Sequence, residues 1–369
     1  MPATPLDRRT LNRTLLRRQS LLTRSGMGAE EAVAHLIGLQ SQVPGSPYPG
    51  LWSRLEGFTF DRLSTLLTRR RVVRVVAMRG TVHLVTAADA LRLHPWLRAK
   101  FERDLRSSRW APGIVGVDRD ALVAHGRRLL AERPLGPAEL RVALGGRFPA
   151  SDPESLATAL RAWAPLVQIP PRGIWGASGG PRYAFLDEWV GAPLAEDPRP
   201  ADLVRRYLAA YGPATPADAQ KWSGLTGLKE LFDRLDLVTY PAGPGASGRT
   251  LYDLPDAPLA DGAAPVPARF VADFDNLVLS HADRTRVLGD VPKTRVITVN
   301  GLVRGTVLID GFVGGVWRFE RAKGRAAVVV SPFAALGTAD RDTLAEEGAR
   351  LLAASDPGAE FTQVRFEAP

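Results

Sequence analysis

The sequence predicts an α+β fold, and three observations predict it. A block of three helical stretches followed by two short strands occurs twice in tandem, at 119–188 and 202–254. The tetrapeptide Gly-Ala-Ser-Gly stands between the two strands both times. Beyond residue 256, helical periodicity gives way to short β-branched runs separated by Asn-Gly and Asp-Gly.

In the first block a helical pattern runs from Arg119 to Glu132, and Pro134–Leu140 turns into a second, shorter helix. A third opens at Ser151-Asp152-Pro153-Glu154, with a polar cap, proline in the first turn and an early acid. Strands follow near Leu166–Ile169 and Arg182–Leu186, around Gly176-Ala-Ser-Gly-Gly180. The second block repeats this with helices Asp202–Tyr211, Ala217–Ser223 and Gly227–Leu235, strands Leu237–Tyr240 and Thr250–Leu254, and the tip Gly245-Ala-Ser-Gly248. Three helices and a hairpin are the plan of the winged helix, a helix-turn-helix variant. Leu11–Val85 fits the plan more loosely, with helical stretches, then Val72–Ala77, a turn at Met78-Arg79-Gly80, and Thr81–Val85. The expected organisation is therefore three tandem winged-helix units, 1–110, 111–198 and 199–255, followed by a C-terminal β-rich domain at 256–369. That last domain is read as a partly barrel-like sheet of Arg295–Val299, Leu302–Ile309, Phe312–Phe319, Ala326–Val330 and Glu360–Phe366. The helix Ala339–Ala354 would cover it.

At 369 residues the chain is too long for one simple core, and its 45% hydrophobic and 24% charged residues are those of an ordinary globular protein. The net charge of +9 attracts polyanions, nucleic acid first and anionic membrane surface second. Yet only five of the 48 basic residues are lysine, in a chain rich in Ala, Gly and Pro. That bias belongs to high-GC genomes, so charge alone leaves DNA binding and a merely solvated surface equally open. The absence of cysteine excludes disulfides, Cys-ligated zinc and iron–sulfur clusters. The five histidines (His35, His83, His94, His125 and His281) show no metal-ligand spacing, and neither metal nor cofactor is expected. The Arg-rich start lacks the apolar segment of a secretory signal, and no apolar run reaches the ~18 residues of a membrane span. A cytoplasmic, nucleoid-associated monomer without a membrane partner is the expectation.

Three constellations can carry chemistry. Gly38-Leu-Gln-Ser-Gln42 ends the helix that begins at Ala29 and enters a Pro/Gly-rich turn. Two glutamines at i and i+2 can share a pocket and fix a water, but neither amide ionises, so neither is a strong base. By itself the pair is a weak motif and reads first as two polar residues at a helix end. The second constellation is basic: Arg69, Arg70, Arg71, Arg74 and Arg79 surround the hairpin after the glutamines, and Lys293, Arg295 and Arg304 lie on or near the hairpin Arg295–Ile309. They would serve as phosphate ligands. The third is polar: Asp273, Asp275, Asn276, His281, Asp283 and Arg284 interrupt an apolar segment. They read as a cavity lining or as a buried network in which Asp283 and Arg284 pair. Asp61 is a fourth, lesser candidate that also reads as a helix N-cap.

Four segments in order, Gly38–Gln42, Arg79–Val85, Tyr211–Gly224 and Asp275–Arg284, resemble the winged-helix family of the AlkZ and YcaQ DNA glycosylases over nearly the whole chain. The resemblance implies tandem winged helices around a DNA-binding cavity. It implies hydrolysis of the N-glycosidic bond of N7-alkylated purines in double-stranded DNA and, in the AlkZ branch, unhooking of interstrand crosslinks made by a DNA-alkylating antibiotic. It assigns Gln40 and Gln42 as catalytic and implies a β-hairpin that probes the minor groove; the residues' own chemistry adds Asp275, Asn276, His281 and Asp61 as cavity support for the pair. Ser41 departs from the aliphatic residue usual between the two glutamines. The chemistry is coherent, because an N7-alkylated purine is cationic and leaves readily. The protein has only to position a water and stabilise an oxocarbenium-like sugar. The alternative is a winged-helix transcription regulator without catalysis.

Overall fold

The computed structural model describes residues 5–243 and 249–369. The chain forms two compact units, the residues up to Leu63 with Ala201–Pro369, and Ser64–Pro200. The first predicted winged helix, 1–110, is thus divided between them.

In the unit Ser64–Pro200, Val72–Val76 and Val82–Thr86 form an antiparallel hairpin turned at Met78–Gly80, where Arg79 and Gly80 take φ of 58° and 73°. Val72–Val76 also pairs with Leu166–Gln168, which pairs with Tyr183–Phe185. Hairpins expected in two separate units therefore share one sheet. Helices Arg119–Glu132, Pro137–Arg147 and Pro153–Trp163 cover a core of Leu122, Leu140, Leu144, Leu156, Leu160 and Phe185, all essentially inaccessible. Each such leucine contributes about 1.5–3 kcal/mol of burial. Asp118 and Asp152 cap the first and third of these helices through their carboxylates, the latter at the polar cap expected from sequence.

In the other unit, helices Pro200–Tyr211, Pro216–Ser223 and Lys229–Asp233 precede the antiparallel pair Val238–Pro241 and Thr250–Asp253. The tip expected at Gly245–Gly248 lies outside the described residues. Thr215 and Asp218 form a reciprocal capping box at the middle helix. Gly212 is required by space: a Cβ there would meet Leu208 O at 2.6 Å and Asp253 Oδ1 at 2.8 Å, and the buried Asp253 is held by Arg18.

The C-terminal sheet runs in the order Phe361–Phe366, Arg325–Pro332, Phe312–Ala322, Gly305–Ile309, Arg269–Val271. It is open, which corrects the expectation of a partial barrel. The helix Thr338–Ser355 is a crossover that lays Phe361–Phe366 parallel to Arg325–Pro332, at the edge opposite Arg269–Val271. Closure would need those two edges to pair. The hairpin between Ile309 and Phe312 turns on Asp310 and Gly311, both at positive φ (44° and 79°), the geometry that an Asp-Gly pair favours.

Candidate active site around Gln40

The helix Ala29–His35 stops in a turn where Ile37 and Gly38 take φ of 52° and 94°, and the chain continues as the two-residue strand Leu39–Gln40. This sharp exit swings Gln40 inward. Two side chains pin the turn's carbonyls: Tyr211 OH donates to Leu36 O at 2.6 Å, and Asn276 Nδ2 donates to Gly38 O at 3.0 Å and to Tyr211 OH at 3.0 Å. Asn276 therefore holds the backbone from which Gln40 projects.

Gln40 is buried and lines a small pocket with Gln19, Leu36, Leu39, Ser46, Arg54, Ala272, Asp273, Asp275 and Asn276. The pocket leaves about 10 Å³ for the centre of a water molecule, close to the minimum for one ordered water. Its wall is rich in hydrogen-bonding groups, and the buried Ser46 Oγ has no protein partner among the described residues. Gln42, two residues on, is exposed and does not line this pocket, and Ser41 between them is fully buried.

The predicted supporting residues separate into three roles. Asp275 is braced: both its oxygens accept from Arg54, at 2.7 and 2.8 Å, and Arg54 also donates to Gly50 O and Gln19 Oε1. Asp275 further caps the helix Asn276–Leu279 through Leu277 N. His281 is buried but lies off the pocket. Its Nε2 donates to Tyr211 O and its Nδ1 accepts from Ser280 Oγ, both at 3.0 Å. Burial first, and then the Arg286 cation, hold it down at about 3, so it is neutral. Asp61 is exposed in the first turn of the helix Phe60–Thr68 and does not line the pocket. Asp283 and Arg284 do not pair. Asp283 accepts from Thr285 N and Oγ1, and Arg284 donates to Val278 O.

The basic residues also divide. Arg69, Arg70 and Arg71 are exposed, with Arg70 stacked 3.9 Å from the Trp189 ring. Arg74 corrects the reading as a phosphate ligand: it is buried within the sheet, donates to Gln168 Oε1 and packs against Gly173. Its neighbours in the alternating strand are all apolar, so sequence could not distinguish it from a surface arginine. Arg79 is half-buried and lies 3.2 Å from His83 Nε2. Burial, and then Arg79, hold His83 down at about 3. Lys293, Arg295 and Arg304 are exposed around a short hairpin. The strand expected at Arg295–Val299 is instead a 3₁₀ turn at Lys293–Arg295 leading to a single bridge, Ile297 to Val303. At its tip Val299 is fully exposed and Leu302 about half exposed.

Sequence reading passed over Ser46, Gln19 and Arg54. Only Arg54 offered a signal, as a lone cation in an apolar stretch.

A sheet-and-helix frame enclosing a polar pocket built around a glutamine amide fits a hydrolase, with no ionised nucleophile in the motif itself. The chain belongs to the DNA glycosylase AlkZ-like family, whose model matches residues 33–354. It is accordingly an enzyme that hydrolyses N-glycosyl bonds in DNA. It is similar to an interstrand DNA cross-link repair glycosylase of Streptomyces sahachiroi, at 25% identity over 86% of this chain and 88% of that protein. Its fold is also that of the solved S. sahachiroi DNA glycosylase AlkZ, with a TM-score of 0.80 over 99% of this chain and 100% of that one at 22% identity.

Proposed function

We propose that this chain is a monofunctional glycosylase for N7-alkylated purines in double-stranded DNA, interstrand crosslinks included, with Gln40 and Gln42 as its catalytic pair. The observation that carries the reading is the buried Gln40 amide on the wall of a one-water pocket, in a chain of this family. The Gln40 amide fixes the water, and Gln42, outside the pocket, meets the sugar or the departing base. An N7-alkylated purine is already cationic, so it needs no acid to leave.

The pocket is far below the roughly 300–1,000 Å³ of an enclosed ligand site. It suits a water and not an extruded base, which favours chemistry on a base left near the helix over ordinary base flipping. A base tied to the opposite strand can be attacked in that way. The helix–helix–helix–hairpin segments 119–185 and 200–253 act in this reading as winged helices, with the looser segment 11–85 as a third. The hairpin tip at Val299 and Leu302 enters the minor groove, where apolar side chains wedge between base steps. Arg69, Arg70, Arg71, Lys293, Arg295 and Arg304 take phosphates. Such a protein works as a monomer on nucleoid DNA.

The test is single-turnover excision from duplexes carrying N7-methylguanine or a defined N7-guanine crosslink. Gln40→Ala with Gln42→Ala should lower the rate by about 10²-fold or more while DNA affinity holds. An unchanged rate would remove the pair from the mechanism.

A further inference from the structure

The pocket beside Gln40 holds two carboxylates, and they are in opposite circumstances. Both oxygens of Asp275 are committed to the Arg54 guanidinium. Asp273, on the same pocket wall, accepts one hydrogen bond among the described residues, from Gly305 N at 2.7 Å, and has no cationic partner. A carboxylate has about four acceptor sites. Asp273 is partly buried with most of its acceptor capacity unspent, beside a space the size of one water.

The backbone fixes this difference. Phe274, between the two acids, takes φ of 57°, a conformation that a bulky L residue rarely adopts. It is held there by burial and by the bond from Phe274 N to Val303 O at 3.1 Å. The kink lets Asp275 turn to Arg54 while Asp273 is braced from the far side by Gly305. Gly305 opens the strand that follows the Val299 hairpin, so the chain leaving the tip steadies Asp273. Burial pushes the Asp273 carboxyl up from the ordinary carboxylate range, opposed by the Gly305 N–H. The other charged or titratable groups on the pocket wall are the Arg54–Asp275 pair. Gln19, Gln40, Ser46 and Asn276 are neutral.

We propose that Asp273 is the catalytic proton acceptor for the water that Gln40 positions, a role that rests on the glycosylase reading above. In that step the water oxygen bonds to C1′. The C1′–N9 bond breaks with its electron pair passing to the purine, which leaves neutral because its N7-alkyl form began as a cation. The proton lost by the water goes to the Asp273 carboxylate and then to solvent. While the sugar carries oxocarbenium charge, the same carboxylate stabilises it.

The experiment compares the full-length wild type with Asp273→Asn on an N7-methylguanine duplex, measuring single-turnover release from about pH 5 to about pH 8, alongside DNA affinity and Tm. Asn still accepts from Gly305 N–H, so fold and affinity should hold. The expected result is a loss of about 10²-fold near neutral pH, together with disappearance of the wild type's fall in rate toward acid. A wild-type rate in the variant overturns the proposal, as does a slower variant that keeps the wild-type acid limb. If Asp273→Asn does not fold, Asp273→Glu decides: the acid limb moves when the titrating group is residue 273 and stays when it is not. A wild type that releases no N7-methylguanine refutes the N7-alkylpurine reading above and this proposal with it. An active wild type with an indifferent Asp273→Asn refutes only the proposal.

Discussion

Removing the carboxylate of Asp275 tests whether this residue braces the site or performs its chemistry. In Asp275→Ala the buried Arg54 guanidinium loses two charge-assisted bonds of 2.7 and 2.8 Å and keeps only Gly50 O and Gln19 Oε1. Both side chains of the pair are almost wholly inaccessible, at 2% and 3%, so water does not replace the lost partner. Leaving one member of a buried pair uncompensated costs about 3–5 kcal/mol. Loss of the cap to Leu277 N adds about 1 kcal/mol. At roughly 2–4 °C per kcal/mol for a unit of this size, Tm should fall by about 8–24 °C. Arg54→Met with Asp275→Leu should recover much of that loss, because no charge is then stranded. Thermal unfolding followed by circular dichroism, with base excision measured below the lowered Tm, reads both effects. Excision per folded molecule should fall less than in Gln40→Ala. A Tm shift below about 2 °C would refute the bracing argument. A catalytic collapse at unchanged Tm would move Asp275 into the chemistry.

Three further outcomes follow from the same structure. Arg74→Ala should lower Tm, because it empties a buried site in the sheet, while leaving the salt dependence of DNA binding unchanged. The triple change Lys293→Ala, Arg295→Ala and Arg304→Ala should leave Tm nearly unchanged and flatten the slope of log affinity against log salt by up to about 3. Equal slopes for the wild type and the triple variant would detach this hairpin from DNA. Stability should also decline in mild acid, since His83 and His281 are held down at about 3 and His94 at about 4, in each case first by burial. Their folded values lie below the unfolded value near 6.5. The unfolded chain therefore binds the protons first, and stability is full above about pH 6.5 and lost as pH falls from there toward 4. Each histidine contributes a slope of at most about 1.4 kcal/mol per pH unit. Urea unfolding at several pH values checks this, and a flat profile between pH 6.5 and about 4.5 would contradict it.

What the sequence determined by itself lies within a few residues of each signal. Asp118 and Asp152 cap helices through backbone N–H groups two or three positions ahead, and Thr215 and Asp218 close a box of four residues. Asp310-Gly311 turns a hairpin because both residues tolerate positive φ. The order of three helices and two strands could be read for the same reason. The glutamine motif was visible as residues, and its attachment to a family came from resemblance. Tertiary structure decided which polar groups face a pocket. Asp275 meets Arg54 across 221 positions, and Asn276 reaches Gly38 across 238. No local pattern records such distances. Packing also joined two hairpins into one sheet, buried Arg74 among valines and sent the last strand to an open edge. Asp273 and Asp275 are one residue type two positions apart, and no local pattern tells their roles apart. The kink at Phe274 and the placement of a single guanidinium make one a brace and leave the other facing the water site, because the cost of burying a carboxylate depends on what the fold sets beside it.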